Sequence, residues 1–294
     1  MVNSGSNQIL AALLAELTPQ EGVCTDIVPR VDLFRITQAT PRTPQTYEPG
    51  IIFLAQGHKR IFIGNEVFTY DPLHYLVLAV PLPLECETNG SSEQPLLGIT
   101  IKVDPAVVAE IMLAVHEPGV SKKNVPKGIY SAPIEADLTD ALIRLLHAIR
   151  AESERTFLAP LIVKEILFRV LSSPTGDALR ALAYKNQHFF QIARVLDKIH
   201  QSYAQKFDLN ALAFEAGMSI SAFHANFKAV TSSAPLQYIK NIKLQKAKML
   251  IQTEGIKACD AAAHVGYEST SQFNREYKRL FGRSPGRDTA FSVA

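Results

Sequence analysis

Side chains able to ligate metals, cycle redox states or attack substrates are few, and their spacing suits none of those tasks. Cys24, Cys86 and Cys259 form no CxxC pair and have no His at zinc-ligand spacing, which argues against a structural zinc and against a disulfide framework. His58 and His74 stand apart, without HxH or facial-triad spacing. A metal-dependent barrel enzyme, the rival reading from another class, therefore lacks its ligands. No GxSxG elbow or GxGxxG fingerprint occurs either, and no cofactor is expected. Positive charge, in contrast, is concentrated. From Lys185 onward 15 Lys and Arg face 8 Asp and Glu, net +7, whereas residues 1–184 carry 15 against 20, net −5. The chemistry this offers is a Coulombic grip on a polyanion by the C-terminal part, or else a solvated basic surface.

The elements that must position these charges fall into two regions. Residues 30–103 read as β structure. Arg60 to Ile63 and Val67 to Tyr70 flank Gly64-Asn65-Glu66, a hairpin signal, and further extended runs lie at Ile51 to Ala55, Tyr75 to Val80 and Leu97 to Lys102. Pro41, Pro44, Pro49, Pro72, Pro81, Pro83 and Pro95 are expected between strands. A small barrel or sandwich follows. Beyond Pro133 the period becomes helical: Leu138, Leu142, Leu145 and Ile149 form one stripe that resembles an a/d seam. The stripe could join two copies in a homodimer or pack on the chain's own barrel. A second helix is expected over residues 157–171, then an interdomain junction within 172–187. No apolar run is long enough to span a bilayer, and the first basic residue is Arg30, so a cytoplasmic protein is expected, with no membrane partner.

From Gln187 onward every periodic segment is a short helix. Asp208 to Ala216 ends in Gly217, Ser219 can cap the next helix, and Phe223 and Phe227 stand four apart on its inner face. Helix, glycine turn, helix is the layout of a helix-turn-helix. About fifty residues later the pattern recurs: Ala258 to His264, the turn Val265-Gly266-Tyr267, then a helix with Phe273 and Tyr277. Between the units, Pro235 to Gln252 places Leu244, Ala247, Leu250 and Ile251 on one side and Lys240, Lys243, Lys246 and Lys248 around the rest. Such a rod would hold the units at fixed separation. If that separation is about 34 Å, both second helices can enter successive major grooves of B-DNA.

Residues 188–290 resemble AraC/XylS-type transcription regulators through Val265-Gly266-Tyr267-Glu268-Ser269, Ser271, Phe273, Arg275, Tyr277-Lys278-Arg279, Phe281-Gly282 and Ser284-Pro285. Upstream, Tyr47-Glu48-Pro49, Gln56 to Arg60, Gly64-Asn65, Tyr70-Asp71 and Leu82-Pro83 are similar to the cupin-like N-terminal domain of one subfamily. The resemblance implies an α+β chain. A cupin-like barrel or sandwich with flanking helices, for effector sensing and dimerisation, would occupy residues 1–171. A linker would follow over 172–187, then an all-α DNA-binding domain of two helix-turn-helix units over 188–294. It implies a sequence-specific transcription factor on double-stranded DNA, answering to a small-molecule effector, with RNA polymerase as a further partner. An effector-independent architectural DNA binder is the other alternative.

The resemblance places Ser221, Ala222, His224 and Ala225 on the exposed face of the first recognition helix and Ser271, Gln272 and Arg275 on that of the second. Arg275 can bond guanine O6 and N7, Gln272 can pair with adenine, and Ser271 suits base or phosphate. Arg275 has the alternatives of phosphate contact or a surface pair with Glu276 or Glu268. Ala225 stands where the subfamily usually has Arg, and Ser232 falls at an expected left-handed position where Gly is usual. Lys228, Lys240, Lys243, Lys278, Arg279 and Arg283 are the candidates for phosphate contact. In the sensor, His58, Lys59, Tyr70, His74 and Glu85 are candidates to line an effector pocket, each with the alternative of a surface or structural role. Cys86 reads as a structural thiol beside acidic neighbours.

Overall fold

The computed structural model describes residues 4–64, 66–115, 125–184 and 187–291. Among the described residues ten strands form two antiparallel sheets that pack face to face. One runs β1 (Gly22–Val28), β2 (Val31–Ile36), β9 (Leu96–Lys102), β4 (Gly50–Gln56), β7 (His74–Leu78), β10 (Ile129–Pro133). The other runs β3 (Thr40–Tyr47), β8 (Leu82–Asn89), β5 (His58–Ile63), β6 (Glu66–Tyr70). The β5–β6 hairpin forms in the register that its flanking runs suggest, Ile63 opposite Glu66, while Asn65 of its turn lies outside the described residues. Three prolines depart from expectation. Pro41 and Pro44 lie inside β3, which the fold tolerates because β3 is an edge strand with one hydrogen-bonding side unused. Pro83 lies within β8, but β8 pairs with β5 only from Glu85 onward, so Pro83 too has a strand on one side alone.

Helices close the outside. α1 (Ser4–Leu17) crosses β2, β4 and β9, and α3 (Ala136–Arg150) lies against α1 and α4 (Glu152–Leu171). α2 (Pro105–Val115) packs on α4. This arrangement corrects the reading of Leu138, Leu142, Leu145 and Ile149 as a seam between two copies. All four are at most 5% exposed, because the chain's own helices supply the facing surface that the stripe requires. α4 begins five residues before its expected start and carries Pro160 within it. Among the described residues no helix is long and apolar enough to cross a membrane.

A short α5 (Asp177–Arg180) leads to the C-terminal helices: α6 (His188–Gln201), α7 (Leu209–Glu215), α8 (Ile220–Thr231), α9 (Pro235–Thr253), α10 (Ala258–His264) and α11 (Thr270–Phe281). Their packing is divided unevenly. Phe189, Leu196, Phe223, Phe227, Val230, Tyr238 and Ile242 belong to one apolar core that continues without a break into the sandwich. Leu244, Ala247, Leu250, Ile251, Val265, Phe273 and Tyr277 form a separate, smaller core. The division falls inside α9, so its first half is joined to the core of the sandwich and its second half to that of the second unit.

Candidate nucleic-acid interface

The two units are built by the same local devices. In the first, Gly217 at φ +65° turns the chain, its N–H donating to Phe214 O and that of Met218 to Ala213 O, both at 2.9 Å. In the second, Gly266 at φ +72° does the same, with bonds of 2.9 Å to Ala263 O and from Tyr267 to Ala262 O. These bonds occupy carbonyls that a helix end leaves open. Ser219 and Ser269 then cap α8 and α11 by accepting from the N–H of Ala222 and Gln272, each at 3.3 Å. Both recognition helices end in the left-handed region, at Ser232 (φ 56°) and Gly282 (φ 75°). The serine is thus where the duplicated pattern places it.

On α11, Ser271, Gln272 and Arg275 are exposed, as are Lys278 and Arg279 one turn later. Arg275 makes no ion pair or hydrogen bond among the described residues, because both carboxylates considered as its partners are engaged elsewhere. Glu276 takes Lys240 at 2.7 Å and Gln272 at 3.2 Å, and Glu268 faces Lys206 at 3.5 Å. The guanidinium is left to the solvent side of the helix. On α8, Ser221, His224, Ala225 and Lys228 are exposed and Ala222 is half-buried, so this helix offers less hydrogen-bonding surface than α11.

The phosphate candidates divide. Lys228, Lys278 and Arg279 are exposed. Lys240 is held by Glu276, and Arg283 pairs with the buried Asp288. Lys243 requires a correction: it is buried at 9% exposure, with its ammonium on the carbonyls of Ala204 at 3.4 Å and Gly266 at 3.3 Å. The helical wheel placed it among surface lysines, but the loop after α6 folds over that side of α9. Lys243 therefore staples one unit to the turn of the other, and burial lowers its pKa.

The sandwich holds the first unit from behind. Gly128 accepts from Ala79 N–H at 2.8 Å and donates to Val230 O at 2.9 Å, occupying an open carbonyl in the last turn of α8. Tyr238 on α9 donates to Pro81 O at 2.7 Å and lies 2.8 Å from His200 Nε2. With the phenol proton committed to Pro81, His200 donates from Nε2, and its buried Nδ1 has no partner among the described residues. Burial, with Lys246 second, pushes the His200 pKa down to about 4. Thr46 of β3 also bonds Gln245 of α9. None of these bridging residues belonged to the sequence-derived site, because their partners are distant in the chain.

Of the effector candidates, the structure brings together two. Strand alternation turns Lys59 inward and His58 outward, and Lys59 faces Tyr70 across the β5–β6 ladder. Lys59 donates to Tyr47 OH at 2.8 Å, while the hydroxyl of Tyr70 is buried with no hydrogen-bond partner among the described residues. Cys86 lies in the same interior with its thiol on Gln45, 3.2 Å away. Burial lowers the Lys59 pKa and raises those of Tyr47 and Tyr70. The other three candidates lie apart: His58 near Asn89, His74 on Asp71 and Glu85 on Arg42. Among the described residues no three His, Cys, Asp or Glu side chains gather to hold a metal.

Comparison with known proteins gives three findings. A family model described as the N-terminus of AraC-type transcriptional regulators matches residues 27–178, and a helix-turn-helix domain model matches residues 212–289. Among curated proteins, the chain is 27% identical over 132 residues to the HTH-type transcriptional regulator ExsA of Pseudomonas aeruginosa, covering 44% of this chain and 46% of that one. It is 24% identical over 175 residues to the thermoregulatory protein LcrF of Yersinia pestis, covering 58% and 63%. The chain thus spans about half to two-thirds of the length of these relatives. Among solved structures, an apo variant of ToxT from Vibrio cholerae shares the fold at a TM-score of 0.59 and 11% identity, over 90% of this chain and 97% of that one. ToxT with a bound unsaturated fatty acid gives 0.56 at 12% identity, with the same coverage.

Proposed function

The chain belongs to the AraC-type transcriptional regulators, and on that premise we propose that it is a sequence-specific transcription factor acting on double-stranded DNA. The observation that carries this reading is the duplicated capped recognition helix, with Arg275 exposed and unpaired on the second copy. Arg275 serves as the major-groove reader, with Gln272 and Ser271 beside it. Lys228, Lys278 and Arg279 contact phosphates and supply the salt-dependent part of affinity. α9, with 19 residues and hence about 28 Å of rod, sets the distance between the two readers. α8, with Ser221, Ala222, His224 and Ala225, contributes fewer base contacts and relies more on DNA shape.

The sensor binds a small effector, and Lys59 with Tyr47 and Tyr70 is the part of its interior best suited to hold one. A buried ammonium whose partner is a neutral phenol favours an anionic group, and the similarly folded ToxT has been solved with a fatty acid. Effector binding shifts the population of arrangements in which the first unit can engage DNA, through the Gly128, Pro81 and Thr46 contacts. Selection of bound duplexes from a random pool tests the reading. A bipartite site with two half-sites about one helical turn apart is expected. Recovery of no preferred sequence would refute it.

A further inference from the structure

We propose that Glu276 is a specificity-determining residue: its carboxylate fixes which edge of the Gln272 carboxamide faces DNA, and so selects adenine over guanine at that base pair. This rests on the reading of Gln272 as a base contact. Glu276 lies one turn beyond Gln272 on α11, with a side chain only 13% exposed. Its Oε1 accepts from Lys240 Nζ of the linker helix at 2.7 Å and from Gln272 Nε2 at 3.2 Å, and its Oε2 accepts from Tyr267 OH of the turn at 2.8 Å. Lys240 and Tyr267 come from elements outside α11, so the carboxylate is held independently of Gln272.

An ionised carboxylate only accepts hydrogen bonds, so the carboxamide must turn its NH2 edge inward. The reversed rotamer would set two acceptor oxygens against each other. Burial of Glu276 works toward the neutral acid, but the bonds from Lys240, Tyr267 and Gln272 outweigh it and hold the carboxyl below its usual range, which keeps the group acceptor-only. Gln272 therefore presents to the groove one oxygen acceptor and one remaining N–H, in a set order. Adenine offers the complement, an N6 donor and the N7 acceptor. Guanine offers two acceptors, O6 and N7, and would place one of them against the Gln272 oxygen.

Glu276→Gln replaces the carboxylate with an amide that can accept from or donate to Gln272, so both orientations become available. The test uses the full chain and the duplex recovered by selection, with adenine changed to guanine at each position in turn. The unaltered chain is expected to favour adenine about tenfold or more at one position. Glu276→Gln is expected to reduce that ratio to about twofold while leaving ratios at other positions, including the Arg275 position, as they were. Glu276→Asp keeps the charge and is expected to keep the preference, which serves if the first variant does not fold. An unchanged ratio in a folded Glu276→Gln chain would overturn the proposal and leave Glu276 a purely structural brace. Gln272→Ala with no altered preference anywhere would instead remove the base contact on which it rests.

Discussion

Gly217 and Gly266 occupy the same place in the two units, yet their surroundings differ enough to predict very different responses to alanine. Both have positive φ, where an L side chain costs about 1–2 kcal/mol, offset by about 0.4–1 kcal/mol from the stiffer unfolded chain. At Gly217 a Cβ would meet nothing closer than Gln191 Nε2 at 3.9 Å, so Gly217→Ala should cost about 1 kcal/mol. At Gly266 a Cβ would stand 1.8 Å from Ala204 O and 2.9 Å from its carbonyl carbon, with Lys243 Nζ at 3.1 Å. The backbone of the first unit's loop would have to retreat by more than an ångström. Such overpacking costs about 1–3 kcal/mol. Retreat also strips Lys243 of its paired carbonyls, and charge-assisted bonds are worth about 1.5 kcal/mol or more. Gly266→Ala should therefore cost about 4 kcal/mol, roughly 3 kcal/mol more than its twin. Urea unfolding followed by far-ultraviolet circular dichroism would measure both. Equal midpoints for the two variants would refute the claim that the units are packed backbone to backbone through Gly266.

Arg275→Ala should cost about 1–3 kcal/mol of DNA affinity and relax selection at one base pair, whereas Lys278→Ala should weaken all sequences alike and flatten the salt dependence. Equilibrium binding to matched and mismatched duplexes at two salt concentrations separates them. Ser232→Gly removes a left-handed serine at φ 56° and should raise stability by about 0.5–1 kcal/mol, read from the denaturation midpoint. His200 resists protonation until about 4, while the unfolded chain takes up the proton from 6.5 downward. The unfolded state therefore binds more protons in that window, and stability should fall as pH drops through it. His200→Gln should flatten this slope, and an identical acid profile would show that other groups govern it.

The duplicated glycine turns, serine caps and paired aromatics were legible in sequence because each is a local rule. A glycine needed at positive φ, an oxygen needed three residues before an open N–H and an i, i+4 apolar pair all act within one or two turns. The β5–β6 hairpin was legible for the same reason. Strand alternation is local too, but residue type alone does not say which pocket candidates on different strands share a face, and the sheet's facing puts Lys59 and Tyr70 in the interior while His58 points away.

Two readings failed, and a third stayed open in the sequence, because each depended on what lies opposite. The 138–149 stripe has a seam's spacing whether another copy or the chain's own α1 and α4 covers it, since burial of apolar area is indifferent to its source. Lys243 shares its sequence periodicity with Lys240, Lys246 and Lys248, which are only half-buried, and the loop that covers it comes from residues about forty positions away. The exposure of Arg275 depended on whether Glu276 was already occupied, by Lys240 from another helix and Tyr267 from the turn. The sequence alone established the kind of unit and its repetition, because short-range hydrogen-bonding and packing rules specify those. Which charges remain unpaired on the two units, and how the sandwich grips the first of them, depended on long-range packing, because a charge or carbonyl is available only when no tertiary partner has taken it.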